Sequence, residues 1–531
     1  IEKGLFWLNK TVTPEGSWGD TPESKPNFTA TIMSYAAIKY CDNKNQYSEL
    51  LKITEAYINK FCNPNNPKQL KDFILKYYGK DKSFSVLMLC LCAITGLLGK
   101  NKNAWNYVLQ LPFELAVLPH SFFKVIKLPV VSYALPALIA VGIAKYKNSG
   151  NIGLNFIRKF SVNKCLSKIS KLQPENGGFL EATPLTSFCC MCLCAAGFEQ
   201  HKVVQKCISF ITDSQLENGS WCIDSNIDHW ITTISVNSII DKKENNDKFK
   251  NIIAATLKNR QFKTIHPFTN AKPGGWSWTD LPGAVPDADD TAGTLVALYK
   301  LFPGKITAEV ISGLNWLLDL QNKDGGIPTF CKGWGKLIFD RSCADISAHA
   351  LLAFSLWYPS TTDKLKKKLK TGIRKILKFL SMSQSAEGYW IPLWFGEQEN
   401  QNGESPVLGT GIVLSHLSQI NTKSSKKLTD CAIDYLIQKQ NPDGSWGAKN
   451  EGKVIVTSRV LNGLCKFENT KKVCENAVHY LIDRYSNNSL YEPEPIGLYF
   501  SKLWYSEKLY NINFYLQAMK NYLSKFKREQ Y

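Results

Sequence analysis

Three carboxylates lie within four residues in the segment 285–294, which reads VPDADDTAGT. Asp287, Asp289 and Asp290 follow shortly after an aromatic run, GGWSW, that ends at Trp278. Crowded like charges and an apolar wall both raise the pKa of a carboxyl group, which then keeps its proton near neutral pH. A neutral carboxylic acid beside apolar rings is the arrangement that acid catalysis requires.

This segment has two other interpretations: helix capping, which stays open, and metal binding, which is disfavoured. Asp290 and Thr291 are good N-cap residues for the apolar helical pattern over 292–299, so the acids are also explained as caps at the solvated start of a helix. Metal binding is disfavoured, because Gly293 stands four residues after Asp289, where a Mg²⁺ site of the paired-carboxylate kind needs a further acid. We therefore expect no metal ion and no cofactor.

A second acid lies beside a base further along the chain. Asp345 and His349 are four residues apart within an apolar helical segment, so both side chains emerge on one face of that helix. A lone histidine in a core is usually a satisfied polar group, and that interpretation stays open.

Length and composition favour two domains, or repeats arranged as two bodies. The chain has 531 residues, of which 44% are hydrophobic, and its net charge is +19. Such a charge suggests nucleic acid or an anionic membrane as a partner. The basic residues are scattered among amphipathic helices, without zinc-finger spacing, an RRM signature or an arginine-rich arm, so we expect no nucleic acid.

The cysteines indicate a reducing compartment. Several of the 16 lie in apolar helical runs, where they are interpreted as small buried hydrophobic residues, and no CxxC pair recurs with zinc spacing. The first residues lack a signal-peptide pattern. Because the chain begins at Ile1, removal of an upstream segment is left open.

An irregular repeat of the form QxxxGxW recurs along the chain. Its strong copies are 215–221, 384–390 and 440–446, its weaker copies are 173–179 and 321–327, and a remnant lies at 15–18. The strong copies connect apolar helical segments through a tight glycine turn. Helix pairs of this kind must stack on their neighbours to bury their apolar faces, so we predict an all-α fold. The glutamine is expected to hydrogen-bond the turn, with the tryptophan packed over it.

These repeats, the sequence DADDTA and the later Asp-x-x-x-His pair together resemble the squalene-hopene and oxidosqualene cyclase family of class II, or protonation-initiated, terpene cyclases. The resemblance covers most of the chain and is greatest to the short bacterial squalene-cyclase homologues. It implies two α/α barrels around a large apolar cavity, with the acid at one end. The first barrel is expected over 31–224 and the second over 225–531, completed by the N-terminal segment 1–30.

The resemblance also implies roles for individual residues. Asp289 is the expected proton donor, and His349 is expected to bond it and to stabilise the carboxylate left after proton delivery. Asp287, Asp290 and Asp345 complete the expected acid site. Aromatic rings are expected to stabilise the carbocations, with packing in the core as their other interpretation. These candidate substrate-binding residues are Trp230, Trp276, Trp278, Trp394 and Tyr499.

The implied reaction is protonation of a terminal alkene of squalene or a similar linear polyprene, followed by ring closure to a polycyclic, hopanoid-like triterpene. One alternative is a class II cyclase of a prenyl diphosphate such as geranylgeranyl diphosphate, which needs a cationic pocket. Another is a non-catalytic isoprenoid-binding relative. A protein prenyltransferase subunit is disfavoured, because Asp340 and Cys343 only weakly resemble its zinc ligands.

A membrane surface is the expected partner besides the substrate. The apolar segment 109–144 is too short and too interrupted by proline to span a bilayer, so it indicates monotopic attachment around Phe122, Phe123 and Ile126. A buried core helix is the other interpretation of this segment. We expect a peripheral or monotopic protein on the cytoplasmic side of a membrane, and a homodimer is left open.

Overall fold

The computed structural model describes most of the chain. The described ranges are 1–79, 82–118, 135–149, 155–240, 247–267, 269–330, 332, 338–400, 402–420, 423–448, 452–498 and 502–526. Within them the chain is mostly helical, and its strands are three pieces of two or three residues each. This confirms the predicted all-α fold. The helices divide between two compact units, Ile1–Asn226 with Leu281–Ala284 and Ile227–Asp280 with Val285–Tyr531.

The first unit contains ten α-helices in its described ranges. They are α1 (Glu2–Thr11), α2 (Phe28–Cys41), α3 (Ser48–Asn59), α4 (Pro67–Tyr78), α5 (Lys82–Ile94), α6 (Asn101–Trp105), α7 (Leu135–Asn148), α8 (Asn155–Leu172), α9 (Thr183–Ala195) and α10 (Lys202–Asp213). Cysteines fill part of this core: Cys90, Cys92, Cys189 and Cys192 are buried free thiols. They pack as the small apolar residues that the sequence predicts.

The second unit is a ring of helices inside a second layer of helices. Its helices are α11 (Asp228–Ile239), α12 (Asp247–Asn259), α13 (Ala288–Leu301), α14 (Ala308–Leu320), α15 (Ala344–Trp357), α16 (Asp363–Ser383), α17 (Pro406–Leu417), α18 (Lys423–Gln438), α19 (Val454–Leu464), α20 (Lys471–Ser486) and α21 (Lys508–Phe526). The inner helices α11, α13, α15, α17, α19 and α21 contact one another in sequence, and α11 also contacts α21. These contacts close the ring.

Burial patterns explain which helices are inner and which are outer. Nearly every residue of α15 is buried, as expected for a helix with neighbours on all sides. The outer helix α16 buries a single stripe, Leu365, Leu369, Gly372, Ile376 and Leu380, while its lysines face outward. Because each outer helix returns the chain to the start of the next inner helix, the inner helices run in the same direction.

A three-stranded antiparallel sheet completes the second unit. Its strands are β1 (Phe395–Gly396), β2 (Ile496–Leu498) and β3 (Leu503–Tyr505), in the order β1-β2-β3. Phe395 pairs with Leu498, and Ile496 pairs with Tyr505.

The QxxxGxW repeats fasten neighbouring helices to one another. The Nε2 atom of Gln384 donates to Gly388 O at 2.9 Å and to Leu428 O of the next outer helix at 3.0 Å. Trp390 Nε1 donates to Leu380 O of the preceding outer helix at 2.9 Å, and its backbone N–H donates to Thr410 Oγ1 of the next inner helix at 3.0 Å. One copy therefore ties two outer helices and one inner helix together.

The other copies repeat these contacts. Gln173, Gln215, Gln321 and Gln440 each donate to the carbonyl of the glycine four residues on. That glycine has positive φ, and at Gly444 an added Cβ would lie 2.4 Å from Asn476 O of the next outer helix. Only glycine fits this close approach without displacing the neighbouring helix.

The N-terminal segment belongs to the first unit, which differs from the expectation that 1–30 completes the second. The repeat at 215–221 explains the difference, because α1 occupies the place of its next outer helix. A Cβ added at Gly219 would lie 2.3 Å from Lys3 O, and one added at Gly4 would lie 3.3 Å from the Trp221 ring. The boundary between the units also falls at 226/227, two residues later than expected.

Hydropathy bears on membrane contact as well. None of the helices in the described part of the chain is both long enough and apolar enough to cross a bilayer.

Replacing Trp390 with Phe tests the fastening function of the repeat. Phenylalanine leaves a cavity and cannot donate to Leu380 O, so we expect the second unit to lose about 1–3 kcal/mol of unfolding free energy. The measurement is urea unfolding that resolves the transition of this unit. Trp221→Phe is the matched control, measured in the unfolding transition of the first unit, because Trp221 makes the equivalent bond there to Ile211 O at 2.7 Å but is 38% exposed. An equal loss in both variants would contradict the packing argument.

Candidate active site

Hydrogen bonds to its backbone anchor the acid segment 285–294 and thereby fix where its carboxyl groups lie. Asp287 and Trp276 form an isolated antiparallel bridge, with Asp287 N donating to Trp276 O at 2.9 Å. Thr291 Oγ1 accepts from Trp276 N at 3.0 Å and donates to Asp287 O at 2.5 Å. Ala288 N donates to Thr329 O at 2.8 Å. The threonine of DADDTA thus holds the aromatic run against the start of α13.

The N-cap of α13 lies earlier in the chain than the sequence pattern predicts. Asp287 is the N-cap residue of α13, and its Oδ1 accepts from Asp290 N at 2.9 Å. Asp290 and Thr291, which were the expected caps, lie inside the first turn. Asp287 is the cap because its backbone is extended, with φ −131° and ψ 168°, and its carboxyl group can therefore reach the amides of the first turn. Asp289 and Asp290 then both lie where the helix dipole favours negative charge.

Asp289 and His349 are brought together from two neighbouring inner helices. The Nδ1 atom of His349 lies 2.7 Å from Asp289 Oδ1, although the two residues are 60 positions apart in the sequence. The Asp289 side chain is 28% exposed, whereas Asp287 and Asp290 are buried. Of the three acids in the motif, Asp289 is therefore the one that combines a histidine partner with an accessible oxygen.

Burial raises the pKa of neighbouring carboxyl groups. It raises the pKa of Asp287 to about 7, and Asp287 Oδ2 is buried without a hydrogen-bond partner, so a charge there would be unsolvated. Burial also raises the pKa of Asp345 to about 6, with a further contribution from Asp289. Asp345 Oδ1 accepts from the Cys343 thiol. The site consequently gathers several carboxyl groups without holding all of them as anions.

A cavity inside the helix ring runs past the acid. Asp289, Asp345 and His349 line it together, so the face that the Asp-x-x-x-His spacing predicts points into this cavity. The remaining lining is part apolar and part polar: Trp230, Thr233, Ile234, Asn237, Val296, Lys300, Leu352, Phe395, Ile412, Ser415, His416, Gln419, Arg459, Asn462, Phe514 and Gln517.

The predicted aromatic residues are distributed around this site. Trp230 lines the cavity, and its Nε1 donates to Tyr510 Oη at 2.9 Å. Trp394 donates to Thr329 Oγ1 at 3.1 Å, and Thr329 also anchors the start of α13. Its ring contacts Phe330 edge-on at 5.8 Å. Trp278 packs edge-on against the same Phe330 at 6.3 Å, which places both tryptophans in one aromatic cluster beside the acid segment.

Of the predicted aromatic residues that the structure describes, Trp230 lines the cavity, whereas Trp278, Trp394 and Trp276 do not. Trp276 is fully buried, and its Nε1 donates to Leu257 O at 2.6 Å. Gln261 Nε2 donates to Gly274 O at 2.8 Å and to Glu309 O at 2.9 Å, so Trp276 ends a further copy of the repeat with a long insertion. Its contacts are those of a fastener. Tyr499 lies outside the described residues.

The basic side chains in the cavity were not predicted from the sequence. His416 and Arg459 line it beside the acid site, and the His416 ring is stacked on the His349 ring at 4.7 Å with an interplanar angle of 7°. Burial lowers the pKa of His416 well below its usual range, so this imidazole is neutral. The available signal was that Arg459 is the one charged residue in the apolar run 454–464.

A half-buried glutamate fixes the helix that carries Arg459. Glu494 accepts from Val454 N at 2.7 Å and from Ile455 N at 2.9 Å, and these are the first amides of α19. Glu494 therefore caps an inner helix from the loop just before β2.

One known protein family matches nearly all of the second unit. The model of the squalene-hopene cyclase C-terminal domain matches residues 228–524, which is more than half of the chain. The chain belongs to the squalene-hopene cyclase family. The match covers α11 to α21 almost completely and includes Asp289, His349 and the cavity between them.

Individual members of the squalene-hopene cyclase family are only distantly similar. An enfumafungin synthase from Hormonema carpetanum is 21% identical over 94% of this chain and 42% of its own length. A squalene–hopene cyclase from Bradyrhizobium diazoefficiens is 25% identical over 34% of this chain and 27% of its own length. The chain thus spans less than half the length of these curated relatives.

A solved structure shows the same fold over almost the whole chain. The ent-copalyl diphosphate synthase from Streptomyces platensis matches with a TM-score of 0.53 and 13% identity, covering 98% of this chain and 99% of that one. At this identity the likeness is one of fold, the α/α barrels of class II terpene cyclases.

Asp287→Asn tests the protonation state of the capping acid. The unfolded chain loses this proton near the ordinary pKa of 3.8, whereas the folded chain keeps it up to about pH 7. The folded state therefore binds more protons between these values, and stability falls as the pH rises. Asparagine keeps the capping oxygen without ionising. From pH 5 to pH 8 the variant should lose less unfolding free energy than the wild type, by on the order of 2 kcal/mol.

The measurement is urea unfolding of the second unit at both pH values. Asp319→Asn serves as the control, because Asp319 is an exposed acid of the same unit. A pH dependence in Asp287→Asn equal to that of the wild type would show that Asp287 is already ionised in the folded protein.

Proposed function

We propose that this chain is a class II terpene cyclase that protonates a terminal alkene of squalene or a similar linear polyprene and cyclises it to a polycyclic, hopanoid-like product. The contact between Asp289 and His349, at 2.7 Å within an aromatic-lined cavity, is the observation that carries the proposal. Asp289 is the acid, and His349 is the group that stabilises its conjugate base.

The proposed step conserves atoms and charge. The Asp289 carboxyl transfers its proton to the terminal alkene carbon, a C–H bond forms, and the remaining cation is attacked by the next double bond. Each ring closure forms one C–C bond and moves the positive charge along the chain, until a proton is lost or water is captured. His349 donates from Nδ1 to Asp289 Oδ1 and so stabilises the carboxylate as the proton leaves.

Aromatic rings are suited to stabilise the moving carbocation, because an anion close to it would quench it. Trp230, Phe395 and Phe514 present aromatic surface to the cavity. A cation over such a face is stabilised by about 0.5–2 kcal/mol, and more where water is excluded. Burial, which raises the pKa of Asp287 to about 7, also lowers the negative charge that would quench the cation.

Asp289→Asn should abolish cyclisation while the protein stays folded, because an amide cannot deliver a proton to an alkene. The measurement is mass spectrometry of extracts after incubation with squalene and, separately, with geranylgeranyl diphosphate. Asp290→Asn is the matched control and should slow turnover without abolishing it, since Asp290 is buried and shapes the site only indirectly. Normal turnover by Asp289→Asn would remove the acid assignment.

A prenyl diphosphate substrate is the second candidate, and one observation favours it. Arg459 and Lys300 line the same cavity as Asp289, and these cations supply the kind of charge that a diphosphate group binds. A product from geranylgeranyl diphosphate but none from squalene in the same incubations would establish this alternative.

We also propose that the protein attaches to an anionic membrane surface, on the cytoplasmic side, through α8. The expected attachment residues Phe122, Phe123 and Ile126 lie outside the described residues. On α8, Phe156, Ile157 and Phe160 are 75%, 53% and 60% exposed. Phe156 and Phe160 contact each other at 4.7 Å, so they form one apolar patch.

The charge around this patch supports a lipid partner. Lys159 and Lys164 are exposed on the same helix, and the chain carries a net charge of +19. Apolar rings flanked by lysines suit the boundary between acyl chains and anionic headgroups. An apolar polyprene dissolved in lipid would reach the enzyme from such a surface.

Phe160→Ser should weaken binding to vesicles that contain phosphatidylglycerol by about tenfold or more, because the ring no longer enters the bilayer. Its melting temperature should change little. The measurement is co-sedimentation at low salt. Phe6→Ser is the matched control, since Phe6 is 63% exposed on another helix of the same unit. Equal effects of the two substitutions, or no vesicle binding by the wild type, would contradict attachment through α8.

A further inference from the structure

Arg459 is a half-buried cation on the cavity wall, without a hydrogen-bonding anion. Its guanidinium lies over the Phe514 ring, 3.8 Å from the centroid. Among the described residues no acceptor is bonded to it, and no carboxylate lies within the 4.0 Å of an ion pair. Burial lowers the pKa of Arg459 to about 10, which is still above neutral pH, so the side chain remains charged.

A charge that is partly removed from water is costly unless an opposite charge lies near it. The stack on Phe514 holds the guanidinium by its face and uses none of its N–H groups. The carboxyl groups on the same cavity are those of Asp289 and Asp345, which act on Arg459 by attraction across the cavity. Arg459 is therefore placed to act on these acids through space.

The other basic groups that line the cavity differ from Arg459, either in charge or in having a hydrogen-bond acceptor. His416 is neutral, its Nδ1 is buried without a hydrogen-bond partner, and its ring is stacked on His349. Lys300 donates to Asn237 O at 2.5 Å. It stands eleven residues after Asp289 on α13, roughly 16 Å along the helix axis.

We infer that Arg459 is a positioning residue for proton delivery, whose charge stabilises the carboxylate form of Asp289 across the cavity and so strengthens it as an acid. The inference rests on the proposed function for its catalytic meaning. It assigns Arg459 no contact with the substrate. Before proton transfer the cavity carries an excess positive charge, and afterwards the Asp289 carboxylate offsets it, so the guanidinium favours the state that follows transfer.

The groups that face Asp289 come from each inner helix of the ring. The titratable or charged ones on or beside the cavity are Asp287 at the N-cap of α13, Asp290 and Lys300 of α13, Asp345 and His349 of α15, His416 of α17, Arg459 of α19 and Tyr510 of α21. From α11, His229 lies 2.8 Å from Thr294 Oγ1 of α13 and is neutral, because burial lowers its pKa to about 3. Among the cations of this set, Arg459 alone has no polar partner in the described part of the chain.

Arg459→Met tests the inference, because it keeps an apolar contact with Phe514 and removes the charge. Without the charge Asp289 should hold its proton to higher pH and release it to an alkene less readily. We expect the maximal rate to fall about tenfold or more and the alkaline limb of the pH–rate profile to move up by about half a pH unit or more. Arg459→Lys keeps the charge and should restore the position of the limb.

A second readout does not depend on turnover. Infrared difference spectra against Asp289→Asn identify the carboxyl band of Asp289, and its disappearance with rising pH gives a midpoint. That midpoint should rise in Arg459→Met and stay near the wild-type value in Arg459→Lys. The spectra need no substrate. The midpoint therefore tests the effect of Arg459 on Asp289 even if the cyclase proposal fails.

Lys300→Met is the matched control, since it removes a cation of the same cavity that lies further from Asp289. It should move the midpoint by less than half as much as Arg459→Met does. An unmoved midpoint in folded Arg459→Met would overturn the inference, and so would an equal shift in Lys300→Met. If Arg459→Met does not fold, a shifted midpoint in folded Arg459→Lys would overturn it instead.

Discussion

The hydrogen bond between His349 and Asp289 requires two inner helices to begin side by side at the same end of a closed ring. Asp289 lies in the first turn of α13, and His349 lies one turn further along α15, so a shift of either helix by one turn would separate them by about 5 Å. The repeats prevent such a shift, because each one bonds the start of an inner helix to two outer helices. The chemistry of the site therefore depends on the register of the whole ring.

The same geometry controls charge. At this end of the ring the positive ends of the inner-helix dipoles converge, which favours an anion at Asp289 once its proton has gone. Burial acts in the opposite sense on Asp287 and Asp345, whose pKa values it raises to about 7 and about 6 because it removes the water that would solvate a charge. Acids of one residue type thus have different surroundings within the same site.

Sequence pattern predicted the parts that depend on local rules. The glutamine and tryptophan spacing predicted helix pairs, and the four-residue spacing of Asp345 and His349 predicted a shared face. The side chains inside the ring were not predictable in the same way. The inner helix α19 is buried on nearly every side and carries polar residues among its apolar ones, so its periodicity does not reveal which face holds Arg459. The cap at Asp287 depends on a bridge to Trp276, a contact between backbones that side-chain propensity does not report.

Trp276 shows how a long insertion hides a repeat. In the other copies the glutamine and its glycine are four residues apart, whereas Gln261 and Gly274 are thirteen apart and still share a bond of 2.8 Å. The two halves of the repeat are thus held by their own contacts, not by the length of chain between them. A loop at this position can lengthen or change without altering the ring. Evolution is consequently free to vary the chain beside the acid while the proton donor stays in place, which is a route to new specificity on an unchanged scaffold.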